Sequence, residues 1–232
     1  RRYNTFRVSK WIENRNRDII DKISGEKFVL YMLGVQPEFS SHSLAREFWD
    51  ERAIIQQIAL SLPAGYKFLL KEHPAGIGNK SIDFYKDLEK IPNLYLVPAN
   101  YDGLYLINES SLLVTMAGTA GIESALLGKP SLILTNRVWY NFLPNMYVAS
   151  NITDIGSKLK EALDMKISPE QVKKEAKILF QAVKDYSFDA ENTPVLRGTK
   201  QSLDEKELNK AINILYDMKD FHFNRLKNIN EK

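Results

Sequence analysis

The chain has 232 residues, no cysteine and a formal net charge of +3, with 44% hydrophobic and 26% charged residues. These values are ordinary for a globular protein, the charge is too small to indicate a nucleic-acid partner, and the lack of cysteine excludes disulfides and thiolate metal sites. Three histidines argue against a multi-histidine metal site, and no apolar run approaches the roughly 20 residues of a transmembrane helix. Since no signal peptide is recognisable, we expect a cytoplasmic protein.

A polar, basic segment, residues 1–24, precedes the first strand. Its apolar residues predict a helix over about residues 10–22. Because the chain begins with Arg1 rather than Met, we expect a piece of a longer protein, or a trimmed chain, in which residues 1–24 link to an absent N-terminal domain. The basic face of this helix is either solvated or meets a membrane surface or that domain.

Short apolar runs alternate with helical patterns over residues 25–165. The predicted strands cover residues 27–33, 66–70, 94–97, 112–116, 131–134 and, at the edge, 146–149. The predicted helices between them cover residues 45–62, 81–90, 101–110, 122–127 and 154–163. Near-continuous apolar strands are typical of parallel sheets, and the alternation predicts a Rossmann-like, doubly wound, mostly parallel α/β domain.

The last part of the chain, residues 166–232, reads as additional helices packed on that domain. Ser168 and Ser202 each open a capping-box pattern, and Pro169 occupies the first helical position after Ser168. Such patterns mark helix starts. They predict helices running to about Tyr186 and to about Leu226.

Two strand ends carry polar residues that point to one cleft. Gln36-Pro37-Glu38 follows the first strand, and Lys71-Glu72-His73-Pro74 follows the second. In open parallel sheets, ligands bind at the carboxyl ends of the strands. Pro74 restrains His73 to an extended backbone, so we expect the imidazole to face the cleft and stabilise charge on a phosphate. Glu38 is a candidate base or hydrogen-bond acceptor. The alternatives are a surface histidine in a turn and an ordinary polar loop.

The fourth strand leads into a turn of small residues, Gly118-Thr119-Ala120-Gly121, followed by a helix with Glu123 in its first turn. Backbone N–H groups at a helix N-terminus can hold an anion. We therefore expect this turn and the Thr119 hydroxyl to hold phosphate, and Glu123 to bind ribose hydroxyls. The alternative is a tight turn that needs small residues only for packing. The turn lacks the G-x-G-x-x-G pattern, so NAD binding has little support.

An aromatic loop, residues 136–144, follows the fifth strand. Trp139 and Tyr140 in this loop are candidate walls for a base or a sugar. Core packing under a loop is the alternative for both.

The order of these motifs resembles the capsule polysaccharide biosynthesis family, which includes bacterial Kdo transferases. The resemblance covers roughly residues 27–144 and rests on Gln36-Pro37-Glu38, Lys71-Glu72-His73-Pro74, Gly118-Thr119-Ala120-Gly121-Ile122-Glu123 and Gly128-Lys129-Pro130. The chain also looks like the C-terminal, nucleotide-binding half of a GT-B glycosyltransferase. Enzymes of that type have two Rossmann-like domains with the active site between them.

The resemblance implies a glycosyltransferase that uses a nucleotide-activated sugar, for example CMP-Kdo, without a metal or another cofactor. His73-Pro74 and Gly118-Thr119 would contact the nucleotide together with Lys71, Ala120, Gly121 and Glu123. His73 and Glu38 would be catalytic. The acceptor would be a polysaccharide or a glycolipid, and the enzyme would work in the bacterial cytoplasm, alone or peripheral to the inner membrane in a synthase complex. The resemblance also leads us to expect that the acceptor-binding half lies outside this sequence, and that this chain alone binds nucleotide whether or not it catalyses transfer.

Three other functions fit the same residues. The first is a polyol-phosphate transferase of teichoic-acid type with a CDP-linked donor. The second is a UDP-N-acetylglucosamine 2-epimerase-like enzyme, since that family shares the small-residue turn followed by a glutamate helix. The third is a non-catalytic nucleotide-binding scaffold domain. Preference for CMP, CDP or UDP, or for none, separates these functions.

Overall fold

The structure, a computed structural model, describes residues 2–16, 18–36, 38, 40–185, 209 and 213. The chain divides into two units, residues 1–176 and residues 177–232. Of the second unit, the described part is the end of one helix, up to Asp185, and two isolated helical residues. The predicted helix from Ser202 therefore lies outside the described residues, apart from those two positions.

A sheet of six parallel strands forms the centre of the first unit, in the order β3-β2-β1-β4-β5-β6. The strands are β1 (Lys27–Met32), β2 (Tyr66–Lys71), β3 (Leu94–Val97), β4 (Leu112–Thr115), β5 (Ser131–Ile133) and β6 (Met146–Val148). The chain leaves β1 towards β2 on one side and returns to β4 on the other, so the strand order reverses between β1 and β4. Ligands of doubly wound folds bind at such a switch point.

Helices cover both faces of the sheet, as near-continuous apolar strands require. The helices of the first apolar cluster are α1 (Arg2–Asn16), α3 (Glu51–Ser61), α4 (Ile82–Leu88) and α7 (Ile155–Leu163). Those of the second cluster, on the other face, are α2 (Ile19–Ile23), α5 (Gly103–Glu109) and α6 (Ala120–Leu127). One further helix, α8 (Pro169–Asp185), starts where Ser168 predicts it. The predicted Rossmann-like, doubly wound α/β fold is confirmed.

The N-terminal segment differs from its prediction. In place of one helix over residues 10–22, α1 and α2 pack on opposite faces of the sheet and bury Val8 and Ile19. The first turn of α1 also holds the loop that follows His73. Asn4 Nδ2 donates to the carbonyl oxygens of Gly78 at 2.9 Å and Lys80 at 3.1 Å. Residues 2–16 are thus part of the sheet domain, and a further domain before them stays a prediction.

The helix predicted from residue 45 begins later. A π-helical turn (Ser40–Leu44) and a 3-10 turn (Arg46–Phe48) come first, and α3 starts at Glu51. The reason is Asp50, whose carboxylate accepts hydrogen bonds from the N–H groups of Arg52 and Ala53 at 3.0 and 3.2 Å. Asp50 is therefore the N-cap residue, which has an extended backbone, and the helix begins directly after it. Among the described helices, none has the length and apolar character needed to cross a membrane.

Candidate functional site

A cavity of about 590 Å³ opens at the carboxyl edge of the sheet, where β1, β2 and β4 end and α6 begins. It lies at the switch point, and its volume is in the range of small-molecule sites. The predicted site residues that line it are Glu38, Lys71, His73, Gly118, Thr119, Ala120 and Glu123. Pro74 and Gly121 do not line it. The strand ends that the sequence marks are therefore brought together in one place.

Lys71 is the last residue of β2 and is only 7% exposed. Its Nζ donates to the carbonyl oxygen of Ala99 at 2.9 Å. An ammonium group has three N–H donors, so donors remain for a ligand in the cavity. Burial lowers the pKa of Lys71, while the nearby carboxylates of Glu72 and Asp102 raise it. A partly desolvated ammonium of this kind gains more from an anionic ligand than an exposed lysine does.

His73 caps the 3-10 turn formed by Pro74–Gly76. Its backbone is extended, with φ −70° and ψ 135°, as the following proline predicts. Its Nδ1 accepts a hydrogen bond from the N–H of Ala75 at 3.1 Å. Because that nitrogen acts as the acceptor, the neutral imidazole carries its proton on Nε2. His73 therefore presents its Nε2–H group to the cavity as a hydrogen-bond donor. Pro74 affects the site indirectly, because it restrains the backbone of His73.

Glu72 stands between the end of β2 and His73 and is only 2% exposed. Its Oε2 accepts from the Tyr85 hydroxyl at 2.6 Å and from Lys80 Nζ at 3.0 Å. Its Oε1 accepts from the N–H of His73 at 3.1 Å. Glu72 is thus the anchor of the loop that carries the imidazole. The sequence signal for this role is a carboxylate directly at the end of an apolar strand, and its partners Lys80 and Tyr85 lie too far along the chain to be recognised from spacing.

A second buried carboxylate, Glu51, shares the same ammonium group. It is 4% exposed, and Lys80 Nζ lies 3.0 Å from its Oε2. Burial is the main reason that the pKa of Glu51 is raised to about 7, and the neighbouring charge of Glu72 raises it further, while Lys80 lowers it. The hydroxyl of Tyr31 is buried in the same region and has no hydrogen-bond partner in the described part of the chain. The ammonium group of Lys80 thus pairs with two buried carboxylates, those of Glu51 and Glu72.

The small-residue turn forms the opposite wall. Thr119 precedes α6 with a helical backbone, and its hydroxyl donates to Glu123 Oε1 at 3.3 Å instead of capping the helix. The carbonyl oxygens of Gly118 and Thr119 accept from the N–H groups of residues 121–123, which follow the first residue of the helix. Within the described residues, the N–H groups of Thr119 and Ala120 have no partner. Both residues line the cavity, so these groups are available to a ligand.

Gly121 has a different role from its neighbours in the turn. A Cβ at this position would lie 2.6 Å from Cε2 of Tyr140, closer than real Cβ atoms approach a ring. The glycine is needed so that the Tyr140 ring can pack there. For Gly121 the geometry thus agrees with the packing alternative rather than with phosphate contact.

The two carboxylates at the cavity differ in exposure. Glu123 is half-buried beside Thr119, whereas Glu38 is exposed in the loop after β1. Pro37, between Gln36 and Glu38, lies outside the described residues. The expectation that no metal or cofactor takes part stays a prediction.

No protein-family model matches this sequence, and no curated protein is detectably similar to it. Solved structures do match. The UDP-GlcNAc 2-epimerase from Methanocaldococcus jannaschii is 15% identical, with a TM-score of 0.51 over 75% of this chain and 51% of that chain. The UDP-GlcNAc 2-epimerase from Neisseria meningitidis, bound to UDP-GlcNAc, is 19% identical with a TM-score of 0.44 over 76% of this chain and 49% of that chain.

A third match is KpsC, the beta Kdo 2,4 transferase from Thermosulfurimonas dismutans, at 14% identity and a TM-score of 0.42, over 60% of this chain and 44% of that chain. The chain spans about half the length of the structures it matches, from 44% to 51% of these three. This chain has a Rossmann-like fold of the kind found in GT-B enzymes. At such identities the similarity concerns the fold alone.

Proposed function

We propose that the cavity binds the nucleotide of a nucleotide-activated sugar, and that this chain is the donor-binding part of a glycosyltransferase. The observation that supports the proposal most is that donors suited to a phosphate and acceptors suited to hydroxyl groups line the same cavity. The donors are Lys71, His73 and the N–H groups of the turn, and the acceptors are the carboxylates of Glu38 and Glu123.

The phosphate lies between Lys71 and His73 on one wall of the cavity and Thr119 on the other. A phosphate there receives charge-assisted hydrogen bonds from the ammonium group and further bonds from Nε2–H and the backbone. The carboxylates repel a phosphate but accept hydrogen bonds from hydroxyl groups. Glu123 therefore binds the ribose, and Glu38 faces the sugar or the acceptor.

In the transfer step, the bond between the anomeric carbon and the phosphate oxygen breaks, and the acceptor hydroxyl oxygen bonds to that carbon. The negative charge that develops on the departing phosphate is stabilised by His73 Nε2–H and by Lys71. The proton of the acceptor hydroxyl passes to a base, for which Glu38 is the candidate in this chain. The acceptor is a polysaccharide or a glycolipid.

The donor in this proposal is a CMP-sugar such as CMP-Kdo, used in bacterial capsule assembly at the cytoplasmic side of the inner membrane. Its support is the order of the strand-end motifs, above all His73-Pro74 and Gly118-Thr119. Thermal-shift measurements with CMP, CDP, UMP and UDP test it. The largest shift with CMP is expected. If CDP gives the largest shift, the polyol-phosphate transferase is favoured. If UDP gives the largest shift, the epimerase-like enzyme or a UDP-sugar transferase is favoured. The absence of a shift with all four nucleotides would contradict a nucleotide site.

Paired substitutions of His73 test which of its nitrogens meets the ligand. In His73→Asn the amide oxygen keeps an acceptor where Nδ1 stands, so the turn stays capped, but the Nε2–H donor is lost. We expect nucleotide affinity, measured by calorimetry, to fall about tenfold or more, the effect of losing one hydrogen bond to a charged group. In His73→Gln the longer amide reaches the position of Nε2, and affinity should stay within a few-fold of the unsubstituted chain.

The variant that binds nucleotide more weakly, His73→Asn, should be the more stable of the two. His73→Gln loses the cap and should unfold more easily by about 1 kcal/mol, whereas His73→Asn keeps it. Tight binding by His73→Asn together with weak binding by His73→Gln would contradict the assignment of Nε2 as the donor.

A further inference from the structure

Tyr140 lies behind the small-residue turn, outside the cavity. It is 3% exposed and does not line the cavity. Its hydroxyl donates to the carbonyl oxygen of Gly118 at 2.5 Å, and its ring fills the space beside Gly121. The ring also packs edge-to-face on Trp139, with centroids 5.5 Å apart. Tyr140 thus holds both ends of the turn Gly118–Gly121 from the side away from the ligand.

The hydrogen bond of Tyr140 fixes the direction of one peptide group. In a trans peptide, the C=O and the N–H point in opposite directions. The carbonyl of the Gly118–Thr119 peptide points to Tyr140 and to the N–H of Gly121 at 3.2 Å. Its N–H, which belongs to Thr119, therefore points away from Tyr140, and Thr119 lines the cavity.

The alternative orientation is accessible because the turn contains glycine. Gly118 has no side chain to restrict its backbone torsions. If the Gly118–Thr119 peptide turned over, its carbonyl oxygen would face the cavity in place of the N–H. A phosphate would then meet a partial negative charge. Burial and the charge of Glu123 raise the pKa of Tyr140, so the hydroxyl remains a proton donor at neutral pH.

We infer that Tyr140 is a positioning residue for the phosphate of the nucleotide, and that it acts by holding the Thr119 N–H towards the cavity. The inference rests on the proposed function and deepens it. It places a determinant of phosphate affinity in the aromatic loop after β5, which contacts the turn from behind.

Tyr140→Phe tests this inference, because it keeps the ring beside Gly121 and removes only the hydroxyl. Calorimetry with CMP, CDP, UMP and UDP should give about tenfold weaker binding of the tightest ligand. Tyr147→Phe is the matched control, since Tyr147 lies in the edge strand β6 and lines no part of the cavity. The Tyr147→Phe variant should bind the nucleotide with the same affinity as the unsubstituted chain.

The amide resonance of Thr119 supplies a readout that a loss of packing would not change. In the unsubstituted chain, the tightest of these nucleotides should shift the Thr119 N–H proton resonance downfield, and in folded Tyr140→Phe the shift should be much reduced. Unchanged affinity, or an unchanged Thr119 response, in Tyr140→Phe overturns the role of Tyr140 while the proposed function stands. Failure of the unsubstituted chain to bind any of the four nucleotides overturns the proposed function and this inference with it.

Discussion

Replacing Glu51 by glutamine is expected to stabilise the protein by about 3 kcal/mol at pH 8 and to leave its stability almost unchanged at pH 4. The pKa of Glu51 is raised from 4.5 to about 7, chiefly by burial. A difference of one pKa unit between the folded and unfolded states corresponds to about 1.4 kcal/mol. Glutamine has nearly the same shape as glutamate but carries no charge, so it removes this penalty.

The sign of the pH dependence follows from the direction of the shift. The folded state binds the Glu51 proton more tightly than the unfolded chain does. The stability that comes from this proton is fully present below pH 4.5 and is lost as the pH rises through about 7. The difference in unfolding free energy between Glu51→Gln and the unsubstituted protein should therefore grow between pH 4.5 and pH 7.5.

Urea unfolding at pH 4, 6 and 8 measures this difference. Glu26→Gln is the matched control, because Glu26 is exposed. It should change the unfolding free energy by less than about 0.5 kcal/mol at every pH. If Glu51→Gln instead destabilises the protein at pH 8, the charge of Glu51 is needed to balance Lys80, and the account of the buried cluster is wrong.

Removing the other carboxylate should have the opposite effect. Glu72→Ala is expected to destabilise the protein by about 3 to 5 kcal/mol at pH 7, the usual effect of breaking a buried ion pair. The Tyr85 hydroxyl and the N–H of His73 lose their acceptor, and among the described residues Lys80 keeps Glu51 alone as a counter-charge. Since Glu72 anchors the loop that carries His73, nucleotide binding should weaken as well.

The control for Glu72→Ala is Glu89→Ala, which removes a surface ion pair. Glu89 lies 3.2 Å from Arg15, and the side chains are 37% and 52% exposed. Such pairs contribute at most about 1 kcal/mol. A loss below 1 kcal/mol for Glu72→Ala in urea unfolding would mean that Lys80 moves into solvent, and that the cluster does not support the site.

The sequence predicts the sheet well because each strand is a short apolar run that must be covered on both faces. The end of such a run is also recognisable, which is why Lys71 and His73 could be assigned to the carboxyl edge in advance. The helix starts depend on capping side chains as well as on apolar periodicity. Asp50 moves the start of α3 to Glu51 because its carboxylate caps that helix, whereas the apolar periodicity alone extends back to residue 45.

Contacts across the fold could not be read from spacing. Lys80 joins Glu51, at the start of α3, to Glu72, directly after β2, and these two residues are far apart in the sequence. Tyr140 packs on Gly121 and holds the carbonyl of Gly118, and nothing local distinguishes this tyrosine from the other aromatic residues of its loop. For the same reason the sequence could not tell whether Gly121 is small for a phosphate or for a ring.

The central claim is that the cavity between the ends of β1, β2 and β4 holds a nucleotide phosphate. A crystal structure of the chain with the nucleotide that gives the largest thermal shift tests it most directly. We expect a phosphate within hydrogen-bond distance of Lys71 Nζ, His73 Nε2 and the Thr119 N–H. A nucleotide bound elsewhere, or with its phosphate directed away from these donors, would contradict it.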